Sequence, residues 1–284
     1  MIKRKFGWTG VEVPVIGQGT WMIEGSRAVE RQAIESLRLG LNLGMAHIDT
    51  AEMYGSGRAE ELVGEAISGR RDEVFLVSKV LPSNASFAGT IQACKRSLNR
   101  LKTDHLDLYL LHWESRYPLS ETMRALETLV AEGKTRFIGV SNFDLGMLKA
   151  AERALKKERL ACNQILYHLG DRGIERKLIP YCAASEITVV GYSPFGHSDF
   201  PSSKNSSGRI LGQIAERHGK TPRQVVLNFL TRSKLGVFTI PKSSQVEHVR
   251  ENSAGTGWEL DEEDLRLIDR AFPAPDHDVP LGIL

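Results

Sequence analysis

The chain has 284 residues, 41% hydrophobic and 25% charged, with a formal net charge of +2. That length suits one large α/β barrel domain, expected over residues 1–284, with ample material for a buried core. The balanced charge argues against nucleic acid or an acidic membrane as main partner, and no apolar run reaches the roughly 18 residues of a membrane span.

Residues 1–13 read as a small hairpin over one barrel end, turning near Gly7 and Gly10. Val15, Ile16 and Gly17 read as a first strand. Ser26 caps a helix whose inner face is Ala33, Ile34, Leu37 and Leu41. A second strand ends at Asp49, and a helix follows through Leu62, Val63, Ala66 and Ile67. After a strand at 74–78 comes a helix with Ile91, Cys94, Leu98 and Leu101 on one face. After a strand ending near Leu111 come Met123, Leu126, Leu129 and Val130.

The rhythm continues with a strand at 137–140 and a helix carrying Leu145, Leu148 and Ala151. A strand at 162–165 precedes a helix from which Leu178, Tyr181 and Cys182 face inward. The strand at 187–190, helices near 208–218 and 222–233, and a strand at 236–240 complete the pattern. Strands alternating with helices predict a closed (β/α)8 barrel; the extra helix before the last strand and an acidic helix at 261–271 are additions. The polar stretch 196–208 reads as a mobile binding loop, and 273–284, with three prolines, as an irregular tail. Cys94, Cys162 and Cys182 have neither metal nor redox spacing, so reduced packing thiols in a cytoplasmic protein are expected, with no metal site. The basic residues 1–6 precede no signal-like apolar stretch.

In a parallel barrel, catalytic groups come from the C-terminal ends of strands. Asp49, Lys79 and His112 each end an apolar run, and Tyr54 follows Asp49 closely. An ammonium beside a phenol favours phenolate, so Lys79 is expected to lower the Tyr54 pKa from about 10. Asp49 would hold Lys79, and His112 would orient a substrate oxygen. Together these groups can protonate a carbonyl oxygen as hydride reaches its carbon. A Schiff-base aldolase using Lys79 is the alternative from barrel chemistry; Asp49 opposes it by favouring the charged amine.

The segment His47-Ile48-Asp49-Thr50-Ala51-Glu52-Met53-Tyr54-Gly55 resembles the signature of the aldo-keto reductase superfamily. So do Val77-Ser78-Lys79, Leu110-Leu111-His112-Trp113, Gly139-Val140-Ser141-Asn142-Phe143, Asn163-Gln164, Gly191-Tyr192-Ser193-Pro194 and Ile240-Pro241-Lys242-Ser243-Ser244, in the family's order. The resemblance implies a barrel reductase that uses NADPH, with NADH as a second candidate, and no Rossmann domain. Gly17-Gln18-Gly19 indeed lacks the third glycine of the dinucleotide fingerprint.

The resemblance implies a catalytic tetrad of Asp49, Tyr54, Lys79 and His112, with Tyr54 as general acid. It places Gly19, Thr20 and Trp21, with Asp49, at the nicotinamide end, and Ser141, Asn142 and Gln164 on the carboxamide. Tyr192 would stack on the ring. Ser193, Pro194, Phe195 and Gly196, with Ile240, Pro241, Lys242, Ser243 and Ser244, would take the phosphates. Glu251 and Asn252 would lie around the adenine, and Trp21, Tyr54, His112 and Trp113 would face a small carbonyl substrate. His248 stands where many members carry an arginine against the 2′-phosphate, which weakens the expected NADPH preference. The tail is short by family standards, so the pocket is expected to be open. Small aldehydes, dicarbonyls and ketones all fit, and oligomeric state is left open, a monomer being compatible. A redox-sensing regulatory module remains an alternative, because some relatives are regulatory subunits; the complete tetrad opposes it.

Overall fold

In the computed structural model, which describes residues 1–197 and 200–284, Lys3–Lys5 (β1) pairs antiparallel with Glu12–Pro14 (β2). From this hairpin Phe6 enters the N-terminal end of the barrel, fully buried against Phe75 and Phe238. Gln18–Gly19 (β3), His47–Asp49 (β4), Phe75–Val80 (β5), Leu106–Leu111 (β6), Thr135–Ser141 (β7), Leu160–Leu166 (β8), Thr188–Tyr192 (β9) and Phe238–Thr239 (β10) form one parallel sheet in sequence order. Its edges meet where Ile16 bridges Thr239 and Gly19 bridges Lys242, closing the barrel. A Cβ on Gly19 would come within 2.6 Å of the Ile240 carbonyl oxygen, so closure needs glycine there. The strands β5 and β6 are buried along their whole length, as barrel strands covered on both faces must be.

The first barrel strand lies just beyond the expected Val15 to Gly17. Val15 and Ile16 are apolar because hairpin and barrel both bury them at the crossing, and Val15 accepts from the Thr239 amide at 2.8 Å.

Helices follow the strands: Arg27–Asn42 (α1), Arg58–Ala66 (α2), Phe87–Leu101 (α3), Leu119–Ala131 (α4), Leu145–Ala154 (α5) and Leu178–Ala184 (α6). Ser26 caps α1 by accepting from the Val29 amide, and Ala33, Ile34, Leu37 and Leu41 are buried as their spacing predicts. Ser206–Arg217 (α7) and Pro222–Leu230 (α8) precede β10; Val246–Ser253 (α9) and Glu262–Ala271 (α10) follow it. The helix α9 was not expected, because Val249 is its only buried apolar side chain and leaves no readable stripe. In α6 the buried residues are Leu178, Ile179 and Cys182; Tyr181, expected inward, is half-buried and donates to Glu152 Oε2 at 2.7 Å. The stretch 196–208 is partly helical, since Asn205 caps α7; its Ser198 and Asp199 lie outside the described residues. Among the described residues no helix is long and apolar enough to cross a membrane.

His47 is sealed inside the closed barrel end, edge-on to Phe6 and Phe75. Neither ring nitrogen has a protein partner. Burial, aided by the Lys79 charge, pushes its pKa from 6.5 down to about 3. The unfolded chain therefore binds a proton here below about pH 6.5, and the folded chain does not until about pH 3. Stability then falls on acidification through that window, at about 1.4 kcal/mol per pH unit for this residue. His47→Phe should lose less stability between pH 7.5 and 5 than the wild type, as read by urea denaturation. Equal losses would contradict a neutral buried imidazole.

Candidate active site

Barrel closure brings together the ends of three adjacent strands. Asp49 ends β4, Lys79 is the penultimate residue of β5, and His112 directly follows β6. Tyr54 opens a short 3-10 turn in which Gly55 and Ser56 take left-handed φ angles of 54° and 53°. The Lys79 ammonium donates to Asp49 Oδ1 at 2.5 Å, to the Thr50 carbonyl at 2.9 Å and to Tyr54 Oη at 3.3 Å. Gln164 Nε2 donates to the other Asp49 oxygen at 2.7 Å. His112 lies edge-on to Tyr54, ring centroids 5.8 Å apart, and against Trp113 at 4.7 Å.

Burial alone would lower the Lys79 pKa, but Asp49 and Tyr54 outweigh it and hold the amine above its ordinary value. A charged ammonium cannot attack a carbonyl, so the aldolase alternative loses its nucleophile. Burial pushes the Asp49 carboxyl up, while Lys79 and Gln164 pull it down. Burial also pushes the Tyr54 phenol up, and the opposing pull of Lys79 does not overcome it. The expected net lowering of Tyr54 is therefore corrected: Lys79 acts in the expected direction, but desolvation is larger. Burial, then the Lys79 charge, pushes His112 down to about 2, so its imidazole is neutral; its Nδ1 is buried without a protein partner.

Gly19, Thr20, Trp21, Asp49, Ser141, Asn142, Gln164, Tyr192, Ser193, Ile240 and Lys242 line one cleft together with Tyr54, His112 and Trp113. Its enclosed volume is about 140 Å³. Asn142 and Ser193 hold left-handed φ angles of 60° and 50°, the kind of backbone strain that gathers at working sites. Tyr192 Oη donates to Asn142 Oδ1 at 2.8 Å, which fixes the ring, and Asn142 Nδ2 donates to the His112 carbonyl at 3.1 Å. Thr20 Oγ1 donates to the Asp49 carbonyl at 2.9 Å. Lys242 Nζ reaches Ser244 Oγ at 3.4 Å, and among the described residues no carboxylate pairs with it.

Other expected residues do not line this cleft. Pro194 and Phe195 border a separate small cavity with Phe200. Gly196, Pro241, Ser243, Ser244 and His248 lie outside the lining. Glu251 Oε1 accepts from the Thr221 hydroxyl at 2.5 Å, and Asn252 is buried in α9, so neither is presented to the cleft.

Two lining residues were missed, Met53 and Leu284. Met53 adjoins Tyr54, a local signal that was available. Leu284 had none, because the tail reaches the cleft through contacts about a hundred residues apart in the chain. Arg172 donates to the Phe272 carbonyl at 2.5 Å, Arg176 to the Asp276 carbonyl at 2.6 Å, and Asp278 pairs with both Arg176 and Lys177. The tail is irregular as expected, and its last residue, Leu284, lines the cleft.

A model of the aldo/keto reductase family matches residues 15–272. The chain is 42% identical over 265 residues to methylglyoxal reductase YeaE of Escherichia coli K12, covering 93% of each chain. It is 36% identical over 278 residues to glyoxal reductase of Bacillus subtilis 168, covering 94% of each. An aldo-keto reductase of Klebsiella pneumoniae, solved with NADPH, superimposes with a TM-score of 0.93 at 42% identity over the whole of both chains. With Asp49, Lys79, His112 and the neighbouring Tyr54 gathered at one end of a closed barrel and family similarity over nearly its whole length, this chain belongs to the aldo/keto reductase family.

Proposed function

We propose that this site reduces small aldehydes and ketones to alcohols with NADPH, Tyr54 giving the proton to the carbonyl oxygen. The observation that carries the roles is the buried Lys79 ammonium, which touches both Asp49 and Tyr54. Its charge stabilises the phenolate left after proton transfer, and Asp49 keeps it charged and in place. His112, neutral, donates a hydrogen bond that orients the substrate oxygen without competing as an acid. The named reductases of methylglyoxal and glyoxal, and the NADPH-bound neighbour, support this reading.

The chain's own residues suit the cofactor. Tyr192 offers a ring fixed through Asn142, and Ser141, Asn142 and Gln164 carry the donors and acceptors that an amide needs. Lys242 is a cation at the cleft with no carboxylate partner among the described residues, which suits phosphate. When bound, NADPH supplies the hydride. The test is a panel of carbonyls with NADPH and NADH run separately, following loss of the reduced nicotinamide absorbance. No turnover of any aldehyde with either cofactor would defeat the reading.

Lys242→Met should lower kcat/KM with NADPH about tenfold, and with NADH far less, because a charge-assisted hydrogen bond contributes about 1.5 kcal/mol at the low end of its range. His248→Arg should raise the NADPH/NADH ratio if α9 borders the 2′-phosphate. Equal effects on both cofactors would remove Lys242 from that role.

A further inference from the structure

We propose that Glu52 and Glu60 are positioning residues for the proton transfer, two buried carboxylates that strap the segment carrying Tyr54 to the strand carrying Lys79. This rests on the carbonyl-reduction reading, in which Tyr54 gives its proton while touching Lys79. Glu60 is fully buried and Glu52 is 7% exposed, yet neither lines the cleft. A buried carboxylate is costly unless paired, and apolar side chains of similar volume often serve stability at least as well. Stability alone therefore does not account for two of them beside the site.

Their hydrogen bonds bracket the reacting pair. In sequence, Glu52 precedes Tyr54 and Glu60 follows it on α2. Glu60 Oε1 accepts from Ser78 Oγ at 2.6 Å, one residue before Lys79. Glu52 Oε1 accepts from the Leu81 amide at 2.8 Å, two residues after Lys79, and from Asn84 Nδ2 at 2.9 Å. One helix supplies both counter-charges. Arg100 Nε donates to Glu60 Oε2 at 2.6 Å, and Arg96 pairs with Glu52 Oε2 at 3.4 Å. These arginines are four apart on α3 and so share a face. Arg100 lies so close to the Tyr54 turn that a Cβ on Gly57 would come within 2.5 Å of its Nε.

The turn by itself is a poor anchor for Tyr54. Gly55, Ser56 and Gly57 all take left-handed φ angles, which is strained at Ser56. Of the three bonds made by the Lys79 ammonium, the one to Tyr54 is the longest, at 3.3 Å. The other two run to Asp49 and Thr50 and pass through neither strap. Loosening a strap thus moves Tyr54 away from an ammonium that stays in place. A misplacement of about 1 Å costs about a hundredfold in rate.

The experiment compares Glu52→Ala, Ser78→Ala and Glu52→Gln. Ser78→Ala cuts one strap and leaves the pair of Glu60 with Arg100 intact. Glu52→Gln keeps an oxygen for Leu81 and Asn84, so it should restore what Glu52→Ala loses. With one strap of two remaining, each alanine variant should lower the single-turnover rate about tenfold and leave the NADPH dissociation constant unchanged. Each should also raise the solvent deuterium isotope effect, because proton transfer becomes the slow event. A variant that merely holds fewer folded molecules would keep the wild-type isotope effect. Nuclear magnetic resonance of tyrosine labelled with carbon-13 at Cζ gives a readout independent of turnover. The Tyr54 resonance, assigned by its absence in Tyr54→Phe, should move in both alanine variants and keep its wild-type place in Glu52→Gln, while Tyr167 and Tyr181 do not shift. A Tyr54 resonance unmoved in either alanine variant removes that strap's carboxylate from the role. A rate loss with an unchanged isotope effect, or wild-type rates in both variants, overturns the proposal. If the wild type reduces no aldehyde yet the resonance moves as expected, the straps stand and the reductase reading fails.

Discussion

Tyr54→Phe should abolish carbonyl reduction, lowering kcat by roughly 10² to 10⁴, the span of general acid catalysis, while cofactor affinity stays nearly unchanged. The ring remains beside His112, and only the hydroxyl that meets Lys79 at 3.3 Å is removed. Burial holds the phenol protonated above its ordinary range, and His112 stays neutral, so the wild-type rate should be level across the neutral pH range. Single-turnover kinetics check the first claim: a variant that keeps more than a tenth of the wild-type chemical rate would show that Tyr54 is not the acid. Lys79 is the group that opposes the upward push on Tyr54. Its removal should therefore move any alkaline limb to higher pH, not lower.

Lys79→Met should cost about 3–5 kcal/mol of stability as well as activity, because it strands a buried carboxylate. Lys79 is fully buried and Asp49 nearly so, and the pair is 2.5 Å apart. Asp49→Asn alone strands the ammonium in the same way and should cost a similar amount. The double variant Asp49→Asn/Lys79→Met removes both charges and should recover much of the stability while remaining inactive, since replacing a whole buried pair is far cheaper than breaking it. Urea denaturation of the three variants measures this. If the two single losses simply add in the double variant, the ion pair is not the source of the cost.

Much of the fold was legible because its signals are local. An apolar run of five or six residues followed by an amphipathic stretch defines a βα unit wherever it occurs, as at β5 with α3 and β6 with α4. The helix α9 was not legible, since one buried valine makes no periodicity. Tyr181 was misdirected because a phenol satisfies both an inward apolar face and an outward hydrogen bond, and Glu152, on the neighbouring helix, decided for the second.

The sequence by itself determined the barrel class and singled out Asp49, Tyr54, Lys79 and His112 as the proposed catalytic groups. Each of the strand-end groups lies at a position that the local pattern marks, and Tyr54 lies one short loop away. Only the tertiary structure decided how those groups behave and what surrounds them. The direction of the Tyr54 shift depends on how deeply its hydroxyl is buried, and burial depth is set by all the strands at once. The place of Leu284 in the cleft lining depends on Arg172, Arg176 and Lys177 gripping a tail about a hundred residues away. The reason is the same in both cases. Strand order is written in short-range periodicity, whereas desolvation and long-range contact exist only once the barrel has closed.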